Sequence, residues 1–272
     1  VPQYLTNRFA SKSSALKVVC AIIFLLSFTV YVASAFVAGK TVLCSIIPWF
    51  TDSGNEWLAL LIFAAIILCY TFLGGYKAVC WTDFFQGILM LIAVLAVPIV
   101  MLATGSFDST YYGAFGDGIS SFSTNAFGVG WKEVVSGLVW GLGYFGMPHI
   151  IVRFMGIEKP SMIKKSASVA IIWVILSLGA ASAIAILGRT YIMSDGTSLA
   201  AALLPGSASS VFVKIVTDLF PPFLAGLLLA AIIAASMSTA DSQLLVASSS
   251  FTSDLYKPLI RKGKASDKEV SW

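Results

Sequence analysis

Six stretches of the chain are apolar over a length that can cross a bilayer, which takes about 20 residues of helix: 16–47, 57–73, 78–103, 134–154, 162–187 and 223–255. Within them the apolar residues form near-continuous runs rather than one stripe, so these helices meet lipid or other helices on every side. The pattern predicts an all-α membrane protein with six transmembrane helices. Gly74 and Gly75 stop the second stretch before the third begins, a common helix-ending signal. Residues 104–130 hold Gly, Ser, Phe and Tyr and read as a loop on the outer side. Residues 195–219 are mixed and amphipathic and read as a re-entrant or surface pair of short helices, and from Lys257 the chain becomes a charged tail.

Two stretches break the apolar rule. The fourth carries Gly137, Gly141, Gly143 and Gly146 and then Pro148. Interrupted backbone is tolerated in a membrane only where it is buried in protein or lines a cavity, so a discontinuous helix is expected. A kinked helix with glycines for close packing is the other reading. The sixth begins as Leu, Ala, Ile and Gly, and then places Ser236, Ser238, Thr239, Asp241, Ser242 and Gln243 within about two turns. Polar groups at that depth are costly unless they face a cavity, a partner or an ion.

Composition agrees with lipid as the surrounding medium. Charged residues make up 11% and apolar residues 58%, with a mean hydropathy of +0.91, against roughly 25% charged in a soluble domain. The net charge of +4 comes from basic residues scattered among loops, which gives no reason to expect a nucleic acid partner. With the N-terminus inside, 13 Lys and Arg fall on the inner face and 4 on the outer, namely Lys40, Lys132, Arg189 and Lys214. That bias predicts a multi-pass protein of the cell membrane with both ends cytoplasmic. Trp57, Trp131 and Tyr191 then fall near the outer headgroups. Cys20, Cys44, Cys69 and Cys80 show no CxxC spacing and are expected to be buried, inert thiols. The chain opens on Val in what reads as a loop and stops after charged residues, so it is expected to be an internal fragment of a longer protein.

The candidate chemistry is that of hard oxygen ligands. With Ser238 at zero and about 100° per residue, Ser242 lies near +40°, Ala235 near +60°, Thr239 near +100° and Asp241 near −60°. Ser238, Ser242, Ala235 and Thr239 share a face, with Asp241 at its edge. A hydroxyl bonded back to the carbonyl at i−4 loosens the local ladder, and hydroxyls, carbonyls and carboxylates suit a hard cation. Hydrogen bonding to neighbouring helices is the alternative use of the same groups. Asp83 is a second intramembrane acid, placed at a similar depth to Asp241. It can join a cation site or complement a helix N-terminus. Trp140, Tyr144 and Pro148 surround the glycines of the fourth stretch and can enclose a small solute or simply pack. His149 reads as a packed or hydrogen-bonded histidine. The sequence contains no Walker, HExxH or GxSxG motif, and an enzyme is not expected.

GGYKAVCWTDFFQ at 74–86, GLGYFGMPHIIVRFM at 141–155 and AAIIAASMSTADSQLLVASSSFTSDLYK at 230–257, in that order, resemble the sodium:solute symporter family. VPQYLTNRF at 1–9 and TVYVASAFVAG at 29–39 bring the resemblance nearest to the family's proline carriers. The resemblance implies a partial leucine-transporter fold of inverted repeats: residues 1–103 would end the first repeat and 131–256 begin the second, with a tail at 257–272. It implies Na+ as the coupling ion, held by the Ala235 carbonyl and the Ser238 and Thr239 hydroxyls, with Asp83 linked to sodium-dependent transport. It implies Tyr31, Trp140, Tyr144 and Pro148 as solute-binding residues. The activity expected is sodium-coupled symport of a small solute, proline first, by alternating access. Another amino acid, a vitamin, a sugar acid, or a transporter-like sensor domain are the other readings. Asp83, Ser238, Asp241 and Ser242 are expected to bound a second cation site, filled by sodium or a proton, because two close carboxylates do not both stay charged without a cation between them.

Overall fold

The computed structural model describes residues 2–9, 15–106, 128–144, 146–194, 207–261 and 264–266. Most of the predicted loop at 104–130, the first part of the 195–219 segment, and the end of the tail lie outside the described residues. Every described element is helical. A short helix α1 (Pro2–Arg8) leads into α2 (Ala15–Ile46), a single turn α3 (Trp49–Asp52) and α4 (Glu56–Thr104). Then come α5 (Trp131–Tyr144), α6 (Pro148–Met155), α7 (Met162–Ser194), α8 (Ser207–Leu219) and α9 (Pro222–Ser250). A π-helical stretch, Phe251–Ile260, continues α9.

Among the described residues, four helices are long and apolar enough to cross a membrane: Ala15–Ile46, Glu56–Thr104, Met162–Ile192 and Pro222–Pro258. The α5–α6 pair, bent by 45°, makes a fifth if it is one span. Two expectations about the ends are corrected. The opening residues are helical, not a loop, with Thr6 bonded back to the Pro2 carbonyl at 2.9 Å. The last span runs on as helix beyond Lys257, where the charged segment was expected to begin. Its hydrogen bonds widen, Arg261 N–H reaching the Tyr256 carbonyl at 3.0 Å, and helix continues to Ile260.

The residues expected to form two spans, 57–73 and 78–103, lie in α4, which reverses direction inside itself. Gly75 has φ +57° and ψ −161°, a region that L side chains rarely enter. A Cβ there would meet nothing within 4 Å, so backbone conformation, not space, demands the glycine. Before Gly75, α4 follows α9 in the same sense. Phe63 and Ile67 share a buried cluster with Ala240, Met237 and Leu244, and Tyr70 reaches Asp241. After Gly75 the chain runs back. Asp83 meets Ser238 and Ser242, and Ala93, Val97 and Met101 pack in a cluster with Ala225, Leu228 and Leu229.

Helix α9 is therefore the axis of the described chain, lying against α2 and both arms of α4. Its buried residues change from Ala225, Leu228 and Leu229 at the start to Ser236, Asp241, Ser242 and Gln243 further along. The first set builds an apolar core, and the second brings oxygen atoms to the level of Asp83. Close approach of α2 to α4 depends on Gly39, whose missing Cβ would collide with the Phe63 ring. Small residues at such crossings let backbones come together. The cysteines depart from expectation. All four are free, Cys69 and Cys80 are exposed, and Cys20 and Cys44 are half-buried, on faces that no described helix fully covers.

Candidate ion and solute site

Ser238 and Ser242 are one turn apart on α9, so both hydroxyls point the same way. They converge on one carboxylate. Ser238 Oγ donates to Asp83 Oδ1 at 2.5 Å and Ser242 Oγ to Asp83 Oδ2 at 3.1 Å. The Arg153 guanidinium, from the last turn of α6, donates to Asp83 Oδ2 and also to Ser242 Oγ at 2.7 Å. Three segments distant in sequence thus meet at Asp83, whose side chain is 8% exposed. A carboxylate this buried needs a cation and donors around it, and here it has both.

Asp241 lies in a separate network. It is fully buried, and the Tyr70 hydroxyl donates to its Oδ2 at 2.6 Å. Its Oδ1 has no hydrogen-bond partner among the described residues. Asp83 and Asp241 stand at the same level of α9, as expected from depth, with different partners.

The groups expected to hold sodium come together in part. Thr239 Oγ1 donates to the Ala235 carbonyl at 3.0 Å, the i−4 back-bond that the spacing suggested. Thr239 and Ser238 line a cavity of about 540 Å3, together with His149, Arg153, Ser242 and Gln243. Hydroxyl oxygens keep acceptor lone pairs while they donate, so Ser238 and Thr239 remain able to ligate a cation.

The expected discontinuous helix is present. Tyr144 ends α5, Met147 is extended with φ −69° and ψ 119°, and Pro148 opens α6, where a missing N–H costs nothing. The break borders a second cavity of about 280 Å3, lined by Tyr31, Gly143, Gly146, Pro148, Phe24 and Phe28 among others. Tyr31 and Pro148 are thus brought together across α2 and α6. Trp140 and Tyr144 do not line this cavity and are 69% and 49% exposed. His149 packs its ring edge against Phe28, with centroids 6.0 Å apart.

Sequence reasoning left out three partners. Arg153 counted only toward membrane orientation, Tyr70 was part of an apolar run, and Gln243 had no role of its own. The available signal was a lone Arg directly after a broken helix, and a phenol inside a span that also needed a partner for an intramembrane acid.

An all-helical chain with several apolar spans and a buried polar cluster between them is a multi-pass membrane protein. The chain belongs to the Sodium:solute symporter family, which it matches over residues 1–272. It is 38% identical over 279 residues to the sodium/proline symporter of Escherichia coli (strain K12), covering 100% of this chain and 53% of that protein. It is also 38% identical over 277 residues to the high-affinity proline transporter PutP of Bacillus subtilis (strain 168), covering 99% and 54%. Identity to the sodium/proline symporter of Staphylococcus aureus is 39% over 276 residues, covering 99% and 51%. The chain thus spans about half the length of these relatives.

Proposed function

We propose that this chain is the part of a sodium-coupled symporter, with proline as its solute, that carries the oxygen ligands of the sodium site and one wall of the solute site. Membership of the family over the whole chain, with relatives whose names specify proline, is the observation that carries the reading. Six spans fit it. The reversal at Gly75 makes two spans of α4, and α2, the α5–α6 pair, α7 and α9 supply the other four. An odd number of crossings would separate the ends, whereas six put both in the cytoplasm, in line with the Lys and Arg bias. Residues 1–103 then end the first inverted repeat and 131–256 open the second, with 104–130 outside and 257–272 inside.

Sodium binds at the Ala235 carbonyl and the Ser238 and Thr239 hydroxyls, which adjoin the 540 Å3 cavity through the two hydroxyls. The solute lies against Tyr31 and Pro148, with Trp140 and Tyr144 on the adjoining half of the broken helix. Asp83, Ser238, Asp241 and Ser242 bound a second cation site, supported by the hydroxyl contacts to Asp83 and by the unpartnered Asp241 oxygen. Sodium raises affinity for proline, and linkage requires proline to raise affinity for sodium equally. The test is uptake of labelled proline by the full-length protein in proteoliposomes, with and without an inward sodium gradient. Uptake that ignores sodium, or no uptake of proline, sinks the reading.

A further inference from the structure

Gln243 and His149 are the two residues shared by both cavities, the one beside Thr239 and Arg153 and the one beside Tyr31 and Pro148. They stand on facing elements, α9 and α6, and form the wall between the two spaces. Gln243 is 4% exposed, yet its Oε1 has no hydrogen-bond partner among the described residues. His149 Nδ1 has none either. An amide oxygen left unpaired in a buried place carries a desolvation cost that a bound group can relieve. The smaller space has apolar lining from Ile23, Phe24 and Phe28, and polar side chains from Ser27, Tyr31, His149 and Gln243. A compact solute with an apolar ring and a cationic N–H at one corner fits such a division.

We infer that Gln243 determines solute specificity: its amide oxygen accepts a hydrogen bond from the protonated amine of the solute at the wall between the two cavities. The inference rests on the symport reading and names the atom that would recognise the solute. Arg153, on the far side of the wall, is committed to Asp83 and Ser242, so its charge is held away from the solute amine. The Gln243 oxygen is an unpaired acceptor at the wall among the described residues, with the unpaired His149 Nδ1 beside it on α6. A site built to hydrogen-bond a substrate N–H rejects a close analogue that lacks it, because the site's own group is then left unpaired.

The experiment uses the full-length protein in proteoliposomes under a sodium gradient, with labelled L-proline and with (S)-tetrahydrofuran-2-carboxylate as competitor, a ring of the same size with oxygen in place of N–H. Gln243→Met is expected to raise the KM for proline by about ten- to hundredfold, the size of one lost hydrogen bond to a charged group. It should shrink the preference for proline over the oxygen analogue and leave the sodium concentration for half-maximal uptake unchanged when proline is saturating for each variant. Gln243→Glu, which keeps an acceptor in place, should hold the proline KM near that of the wild type. If Gln243→Met does not reach the membrane, Gln243→Asn, which withdraws the oxygen by one carbon, is read with the same expectation. Active wild type with variants that keep both the proline KM and the discrimination overturns the inference alone. So does a variant that shifts the sodium requirement and not the proline KM, which would make Gln243 a cation ligand. Wild type that takes up no proline overturns the symport reading and this inference with it.

Discussion

Ser238 and Asp83, 155 residues apart in sequence, are joined by a hydrogen bond of 2.5 Å between the middle of α9 and the returning arm of α4. The bond lies beside the Arg153 ion pair and continues through Ser242, so α4, α6 and α9 are held at one point. The pair is asymmetric. The Asp83 side chain is 8% exposed and that of Arg153 48%, so loss of the arginine strands a buried charge, while loss of the acid leaves a guanidinium that water can reach. Removing one partner of a fully buried pair costs about 3–5 kcal/mol, and the half-exposed arginine lowers this to about 1–3 kcal/mol. Arg153→Met should therefore lower the unfolding temperature of the detergent-solubilised protein. Adding Asp83→Asn should restore part of the loss. A double variant less stable than Arg153→Met alone would show that Asp83 needs no counter-charge from α6.

The contact also separates what could be read from the sequence from what could not. The polar patch of α9, the break before Pro148 and the glycine stop at Gly74 and Gly75 are local signals, and each appears in the structure. Ser238 and Asp241, about 60° apart around the helix, were expected to share a second cation site, and they meet different partners, Asp83 and Tyr70. Which partner each meets is a matter of how helices pack, and spacing along one helix does not encode it. For that reason Arg153 and Tyr70 were missed, and Trp140 and Tyr144 were grouped with Tyr31 although only Tyr31 lines the cavity at the break. The helicity of Pro2–Arg8 was missed because seven residues are too few for periodicity to register. The family resemblance reached further than periodicity, because it brought distant motifs together.

Gly39 sets the separation of α2 and α4 through its contact with the Phe63 ring. A methyl added there forces a core aromatic out of place, which costs about 1–3 kcal/mol. Gly39→Ala should lower thermal stability by that amount, and Phe63→Leu added to it should recover part by making room. Equal stability of Gly39→Ala and wild type would mean that the helices move apart freely.

Thr239 offers its hydroxyl both to the Ala235 carbonyl and to the larger cavity. Loss of one ligating oxygen worth about 1.4 kcal/mol is a tenfold change in affinity. Thr239→Ala should raise the sodium concentration for half-maximal uptake by about tenfold or more, and Thr239→Ser should not. Sodium titrations of uptake check this, and an unchanged requirement in Thr239→Ala would remove the sodium site from α9.

Tyr31 lines the cavity at the helix break, and Tyr144 ends the adjoining half of that helix. Both variants to Ala are expected to weaken proline binding more than they weaken sodium binding measured without proline. Calorimetry on purified full-length protein separates the two. A Tyr144→Ala that weakens both equally marks Tyr144 as structural and leaves the solute with Tyr31.

Asp241 is the group whose chemistry the packing leaves open-ended. It is fully buried, the Tyr70 hydroxyl donates to its Oδ2, and its Oδ1 has no hydrogen-bond partner among the described residues. An ionised carboxylate held that way pays a large desolvation cost, and Arg153, the cation at this level of α9, is already committed to Asp83. On the proposed symport reading, Asp241 is neutralised by a cation or a proton that exchanges during transport. If sodium fills the place, uptake should rise with sodium with a Hill coefficient above one, and Asp241→Ala should bring it to one while transport continues. If a proton fills it, wild type should show a pH-dependent uptake rate that Asp241→Asn, neutral at every pH, flattens. Tyr70→Phe is the control that touches the same oxygen. It removes the donor but keeps the acid, so it should shift the sodium or pH response without abolishing it. Wild-type behaviour of both Asp241 variants in both titrations would make Asp241 a structural acid, paired with Tyr70 to hold α4 against α9 and taking no part in coupling.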